Sequence, residues 1–294
     1  MPELPDITVY LERLAPLILD EPLERVVIRN PFVLRSVTPP LVFVDGRRVV
    51  SLTRLGKRIV IGLENDLYLV IHLMVAGRLR WRPSGKKLVG KLALASFVFP
   101  AGSLLLTEAG TQRRASLHLV DGTAGLREFD RGGLEVSEAS REGFAERLRS
   151  ENHTLKRSLT DPRLFSGIGN AYSDEILHRG RLSPLLLTSR ITDAQVAALH
   201  EATLETLRKW TAILRAEAGD GFPEKVTAFR DKMAVHGRYR LPCPDCGAPV
   251  QRIRYATNET NYCARCQTGS KLLADRAMSR LFKDDWPRSI DELD

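Results

Sequence analysis

The chain has 294 residues, 43% of them hydrophobic and 27% charged, the balance of an ordinary globular protein with room for two domains, each with its own core. No apolar run reaches bilayer-spanning length and no basic segment followed by an apolar core opens the chain, so neither membrane insertion nor secretion is indicated, and a reducing cytoplasm is expected. Forty-four Lys and Arg against 36 Asp and Glu leave a net charge of +8, which suits a polyanionic partner, nucleic acid first, although a basic protein with no such partner remains the plain alternative.

The chain begins Met1-Pro2-Glu3-Leu4-Pro5-Asp6. Removal of Met1, usual before a small second residue, would make Pro2 a free secondary amine. Such an amine attacks carbonyl carbons and titrates near pH 8, far below a lysine, so part of it is neutral at physiological pH. Glu3 stands beside it as a proton carrier. Many proteins start this way without consequence, so the rest of the chain has to decide. Residues 5–19 place Val9, Leu11, Leu14, Leu17 and Ile18 near helical spacing, which predicts an amphipathic helix with Asp6 as N-cap, holding the terminus in place.

From about residue 24 to 128, short β-rich runs alternate with turn signals, and Asn65-Asp66, Ala101-Gly102 and Asp121-Gly122 read as hairpin turns. Seven or eight strands at this spacing predict a β-sandwich or flattened barrel. Residues 138–216 read as helical: 140–148, 155–159, a tight turn at Gly167-Ile168-Gly169-Asn170 feeding a helix over 171–178, and a capping box at Thr192-Asp193-Ala194-Gln195 opening a long helix to about residue 216. Residues 235–270 are short strands around four cysteines, and 271–283 read as a basic amphipathic helix.

Cys243-Pro-Asp-Cys246 and Cys263-Ala-Arg-Cys266, sixteen residues apart, form two CxxC knuckles, which in a reducing compartment signal one tetrahedral structural Zn2+ rather than two disulfides. Four thiolates leave no open coordination position, so the metal folds a hairpin and does no chemistry. Arg252, Arg254 and Arg265 would decorate it and suit phosphates.

The N-terminal Pro-Glu-Leu-Pro, the Gly-x-Gly-Asn turn between helices and the four-cysteine hairpin together resemble the formamidopyrimidine-DNA glycosylase and endonuclease VIII family of base-excision repair enzymes, over residues 2 to about 267. The resemblance implies an α+β multidomain fold with an N-terminal catalytic β-sandwich and its leading helix (1–130), a helix–two-turn–helix DNA-binding domain (131–234), a β-hairpin zinc finger (235–270) and a C-terminal helix and tail (271–294). DNA would lie between the halves. The partner implied is double-stranded DNA carrying a damaged base or an abasic site, bound by a monomer associated with the nucleoid.

The implied activity is that of a bifunctional DNA glycosylase and abasic-site lyase. Pro2 would attack the sugar C1′ of a flipped damaged nucleotide and displace the base, leaving a Schiff base. Glu3 would serve as general acid/base, and Lys57, otherwise a solvated lysine at a strand end, would assist beside the lesion phosphate. Lys156 and Asn170 match phosphate-holding residues, the latter where a helix N-terminus favours anions. Tyr172 and Glu175 look structural. Met74 or the next residue, Val75, is the candidate wedge for the gap left by the flipped base, against a place in the strand core. Arg113, Arg114, Arg254 and Lys91 complete the DNA-binding set.

The sequence also departs from the family. Ala115 stands where an aromatic wedge is expected, and Asp6 where Glu is usual. Asn258 replaces an arginine that serves phosphate binding and δ-elimination, unless Arg254 or Arg265 substitutes. Residues 221–237 look shorter than the family's capping loop for 8-oxoguanine. His72, His118 and His178 read as structural, and the helix after the finger as packing beneath it or a second DNA contact. The competing reading is a catalytically silent damaged-DNA-binding protein of the same fold.

Overall fold

A computed structural model describes residues 1–84, 92–109, 113–224, 226–227, 229–256, 258–273 and 287–292. Lys91, and the helix expected over 271–283 from residue 274 on, lie outside them. The chain divides into two compact units, Met1–Gly132 with Lys209–Thr227, and Gly133–Arg208 with Ala228–Asp294. No described helix is long and apolar enough to cross a membrane.

The first unit opens with helix α1 (Leu4–Ile18), whose Ile7, Tyr10, Leu14 and Ile18 fall on one stripe and are wholly buried. Each such side chain contributes about 1.5–3 kcal/mol on burial, enough to hold the terminal turn against fraying. Asp6 does not cap α1 as expected. Glu3 is the N-cap and Asp6 sits three residues on, its carboxylate accepting the Glu3 N–H at 2.9 Å. The reason is Pro5: proline fits the first helical turn, so the helix starts before it and Asp6 falls at the third helical position.

Nine strands follow among the described residues of this unit: β1 (Pro22–Leu23), β2 (Arg25–Ile28), β3 (Arg47–Leu55), β4 (Arg58–Leu63), β5 (Leu67–His72), β6 (Gly77–Pro83), β7 (Ala93–Phe99), β8 (Gly102–Glu108) and β9 (Ser116–Asp121). They form two antiparallel sheets, β1-β3-β4-β5-β9 and β2-β7-β8-β6. Ile59, Ile61, Leu69, Ile71 and Leu117 of one sheet share a core with Leu79, Phe97, Leu104 and Leu106 of the other, and with α1. This is the β-sandwich anticipated from the alternating runs. The strand number exceeds expectation because β1 and β2, separated only by Glu24, pair with different sheets. Asn65-Asp66 and Ala101-Gly102 turn hairpins, but Asp121-Gly122 opens helix α2 (Gly122–Arg127) instead.

In the second unit, Ser140 caps α3 (Arg141–Arg149) and Thr154 caps α4 (Leu155–Thr160). Helix α5 (Asn170–Arg179) leaves the turn at Gly167, whose φ of +78° favours glycine. Thr192 and Gln195 bond reciprocally at 3.0 and 3.2 Å to open α6 (Asp193–Ala218), of which the residues up to Arg208 belong to this unit; this is the capping box read from the sequence. Strands β10 (Gln251–Arg254) and β11 (Glu259–Tyr262) form an antiparallel hairpin that ends in α7 (Ala264–Thr268).

Two outcomes test this architecture. The β5–β6 turn is pinched, with Gly77 N–H bonded to the Leu73 carbonyl at 2.8 Å, and a Cβ on Gly77 would lie 2.2 Å from that oxygen. Gly77→Ala should therefore lose about 3 kcal/mol in urea unfolding. His72, whose charged form is disfavoured by burial and then by Arg58, Lys57 and His118, has a pKa lowered from 6.5 to about 4. Below pH 6.5 the unfolded chain takes up a proton that the folded chain refuses down to about pH 4. Stability should fall as pH drops through this window, and less steeply in His72→Gln.

Candidate functional site

The first unit gathers charged groups around the chain's start. Pro2 is buried, and Glu3 and Asp6 are 2% and 4% exposed. Burial pushes the terminal amine at Met1 below its ordinary value of 8.0; Glu3 opposes this, Arg78 adds to it, Asp6 opposes and Lys57 adds. Lys57 occupies the β3–β4 turn, just after Gly56 with its φ of +61°. Pro2 and Glu3 at the chain's start and Lys57 in the β3–β4 turn, predicted as one catalytic set from two places in the sequence, thus belong to one electrostatic neighbourhood. A secondary amine at this buried position, next to a buried carboxylate and in surroundings that disfavour its protonation, is equipped to attack an electrophilic carbon and to have its protons moved.

Beside it stands the turn from Leu73 to Gly77. Leu73 takes the core position at 1% exposure, Met74 is left-handed with φ of +51°, and Val75 is 63% exposed. Both candidate wedges therefore sit at the tip of a pinched turn and neither in the strand core. Arg78, which the sequence reading passed over, follows directly. Its guanidinium donates to the carbonyls of Val226, Val75 (3.1 Å) and Gly77 (2.6 Å). Arg113 and Arg114 are exposed, whereas Ala115 is 2% exposed and cannot stand in for a wedge. The buried Glu108 carboxylate pins this stretch, accepting from the N–H groups of Arg114 and Ala115 at 3.0 and 3.1 Å.

In the second unit, Asn170 begins α5 and its amide donates to the Glu259 carbonyl of β11 at 2.9 Å. Lys156 is 8% exposed and its ammonium points inward, to the Asn170 carbonyl at 2.7 Å and to the wholly buried Asp174. His236 holds the other Asp174 oxygen at 2.7 Å. Glu175 accepts the N–H groups of Ala234, Val235 and His236 between 2.7 and 3.0 Å, and Tyr172 is buried, so both are structural. Lys156 thus orients Asn170 from within. The helical spacing of Asn170 and Asp174 carried the only signal for Asp174; His236 carried none.

The four cysteine sulfurs lie within 4.8 Å of one another, with Cys243–Cys266 at 3.9 Å and Cys246–Cys263 at 3.4 Å. Four thiolates around zinc at about 2.3 Å stand about 3.8 Å apart, so the cluster fits one tetrahedral Zn2+, and a structural zinc belongs there. His178, read as ordinary, is 4% exposed with Nε2 at 3.2 Å from Cys243 Sγ, where it orients a ligand and ties α5 to the metal. Of the finger arginines, Arg252 lies over the Tyr239 ring at 4.1 Å and pairs with Glu259 at 3.3 Å, and Arg265 pairs with Asp291 at 3.3 Å. Arg254 and Asn258 are exposed on the hairpin.

Elemental analysis should return one zinc per chain. Its removal should release the hairpin, since binding of such an ion contributes on the order of 10 kcal/mol to folding; Tyr262 ring signals moving to unfolded positions in NMR would register it.

Comparison with known proteins covers nearly the whole chain. Residues 1–118 match the formamidopyrimidine-DNA glycosylase N-terminal domain, 134–219 the H2TH domain of that enzyme, and 240–269 the zinc finger found in FPG and IleRS. A formamidopyrimidine-DNA glycosylase of Thermus thermophilus is 33% identical over 280 residues, covering 91% of this chain and 98% of that protein. A formamidopyrimidine-DNA glycosylase-like protein of Mycobacterium tuberculosis, itself uncharacterized, is 39% identical over 151 residues, 51% of this chain and 94% of its own length. The crystal structure of MutM (Fpg) from Thermus thermophilus superposes with a TM-score of 0.74 at 31% identity, covering 90% of this chain and 98% of that one. A structure of MutM in complex with DNA containing carbocyclic 8-oxo-G reaches 0.80 at 22% identity, covering 91% and 100%, which speaks to the fold alone.

Proposed function

The chain belongs to the formamidopyrimidine-DNA glycosylase family, and on that premise we propose that it is a DNA glycosylase for oxidised or ring-opened bases that also nicks the strand at the resulting abasic site. The observation that carries the reading is the setting of the chain's start, where Pro2 and Glu3 are buried and the amine just ahead of them is pushed below its ordinary value by burial, with Arg78 and Lys57 adding to the effect. A protein that only bound damaged DNA would have no use for it.

The reaction runs on this chain's own groups. With Met1 removed, the Pro2 nitrogen attacks C1′ of the extruded nucleotide; the C1′–N bond to the base breaks and the base leaves with the proton that the Pro2 nitrogen gives up. Glu3 protonates the sugar oxygen as the ring opens, leaving an iminium between Pro2 and C1′. The iminium acidifies the C2′ proton, whose transfer to the Glu3 carboxylate expels the 3′ phosphate by β-elimination, and water then hydrolyses the iminium and frees the enzyme. Lys57 supplies positive charge beside the phosphate, Asn170 and Arg254 hold the backbone, Arg113 and Arg114 add cations, and Met74 or Val75 fills the space left by the flipped nucleotide. Lys156 acts by orienting Asn170. The zinc supplies no chemistry; it holds the hairpin that carries Arg254.

Borohydride should trap the protein covalently on a duplex with an abasic site, at the mass of the chain without Met1. Pro2→Gly, or an extension that blocks the amine, should abolish the adduct. A wild-type protein that leaves no adduct would refute the lyase reading. With Asn258 in the finger, the 3′ end should carry the β-elimination product in excess over the δ-product; a panel of single-lesion duplexes then identifies the base removed.

A further inference from the structure

One side chain joins two segments of the first unit beside the terminal amine. The segment after α6 is fastened at three points: Phe222 lies against the Tyr10 ring at 5.6 Å, Glu224 pairs with Arg82, and Val226 is buried with the sandwich core at 8% exposure. Tyr10 in turn accepts the Leu79 N–H through its hydroxyl at 3.4 Å, so α1, β6 and this segment are one packed body. Arg78 closes the arrangement by donating to the Val226 carbonyl on one side and to Val75 and Gly77 on the other.

The neighbouring arginines on the same face of β6 differ in charge balance. Arg82 spends its charge on Glu224. The acceptors of Arg78, among the described residues, are backbone carbonyls, which take hydrogen bonds without cancelling the charge. Arg78 stands ahead of Lys57 among the cations that lower the terminal amine at Met1, one residue before Pro2.

We propose that Arg78 is a positioning residue for the reaction at the N-terminal amine: it holds the 73–77 turn and Val226 together as one wall and presents its cation to the nucleophile. The inference rests on the amine chemistry proposed above. A nearby cation disfavours protonation of an amine, and only the unprotonated amine attacks. The two halves of the role separate by substitution. Arg78→Lys keeps the charge but cannot reach carbonyls on both sides, whereas Arg78→Gln loses charge and fork together.

The test is the single-turnover rate of incision of an abasic-site duplex as a function of pH, for the wild type, Arg78→Gln, Arg78→Lys and Arg82→Gln. Arg78→Gln should move the midpoint of the acid limb up by about one pH unit, which is about tenfold slower incision below it. Arg78→Lys should keep the wild-type midpoint and lower the plateau about tenfold, through misplacement of the turn. Arg82→Gln should keep the midpoint. An unmoved midpoint in a folded Arg78→Gln, or an equal displacement in Arg82→Gln, would overturn the inference. Should Arg78→Gln fail to fold, a wild-type plateau in Arg78→Lys overturns it instead. No incision by the wild type would remove the proposed lyase activity and this inference with it, whereas unchanged profiles among active variants remove this inference alone.

Discussion

The 2.9 Å hydrogen bond from the Glu3 N–H to the Asp6 carboxylate is the small interaction on which the rest turns. Chain ends normally fray, because their orphan N–H groups gain as much from water as from the fold. Here the first turn of α1 is closed by its own carboxylate and seated by Ile7 and Tyr10 in the sandwich core. The same helix is gripped at its outer face by Arg215, whose fork meets Glu12 at 2.5 and 2.8 Å. A terminus fixed in this way can be surrounded by charges and keep a defined protonation state. One free to move would relax into solvent and lose both.

The second unit solves a related problem with buried charge. A lysine, an aspartate and a histidine are removed from water together at Lys156, Asp174 and His236, and each finds a partner. Buried ion pairs contribute little net stability, but breaking one is costly, which makes them good at specifying a single arrangement. What is specified here is the first residue of α5, held by Lys156 through its backbone carbonyl and fastened to the finger through its side chain. The metal cluster reaches the same helix from its other end through His178. Finger and helix therefore order one another.

Much of this was legible in the sequence because it rests on local rules. The alternation of residues 47–121 carried the sandwich, Thr192 and Gln195 carried the start of α6, and the two CxxC knuckles carried the metal. Local rules also account for the misreadings. Pro5 moved the cap from Asp6 to Glu3, and two residues at Pro22–Leu23 are too few to register as a strand until a partner is seen. The roles of Arg78, Asp174, His178 and His236 were illegible for another reason. The partners that define those roles lie up to 148, 62, 65 and 62 residues away, and no spacing rule spans such distances. Ala115 looked like a missing wedge and turned out to be a packed residue, because only the fold shows Glu108 drawing its backbone inward.

The turn between β5 and β6 divides its labour sharply between neck and tip. Leu73 and Gly77 close the neck, and their carbonyl and N–H leave no space for other choices. Residues 74–76 project beyond it and contribute nothing to the core. Exchanging the tip should thus leave the neck and the core behind it unchanged. Divergent descendants of one ancestor can vary such a tip without first crossing a valley of unfolded intermediates.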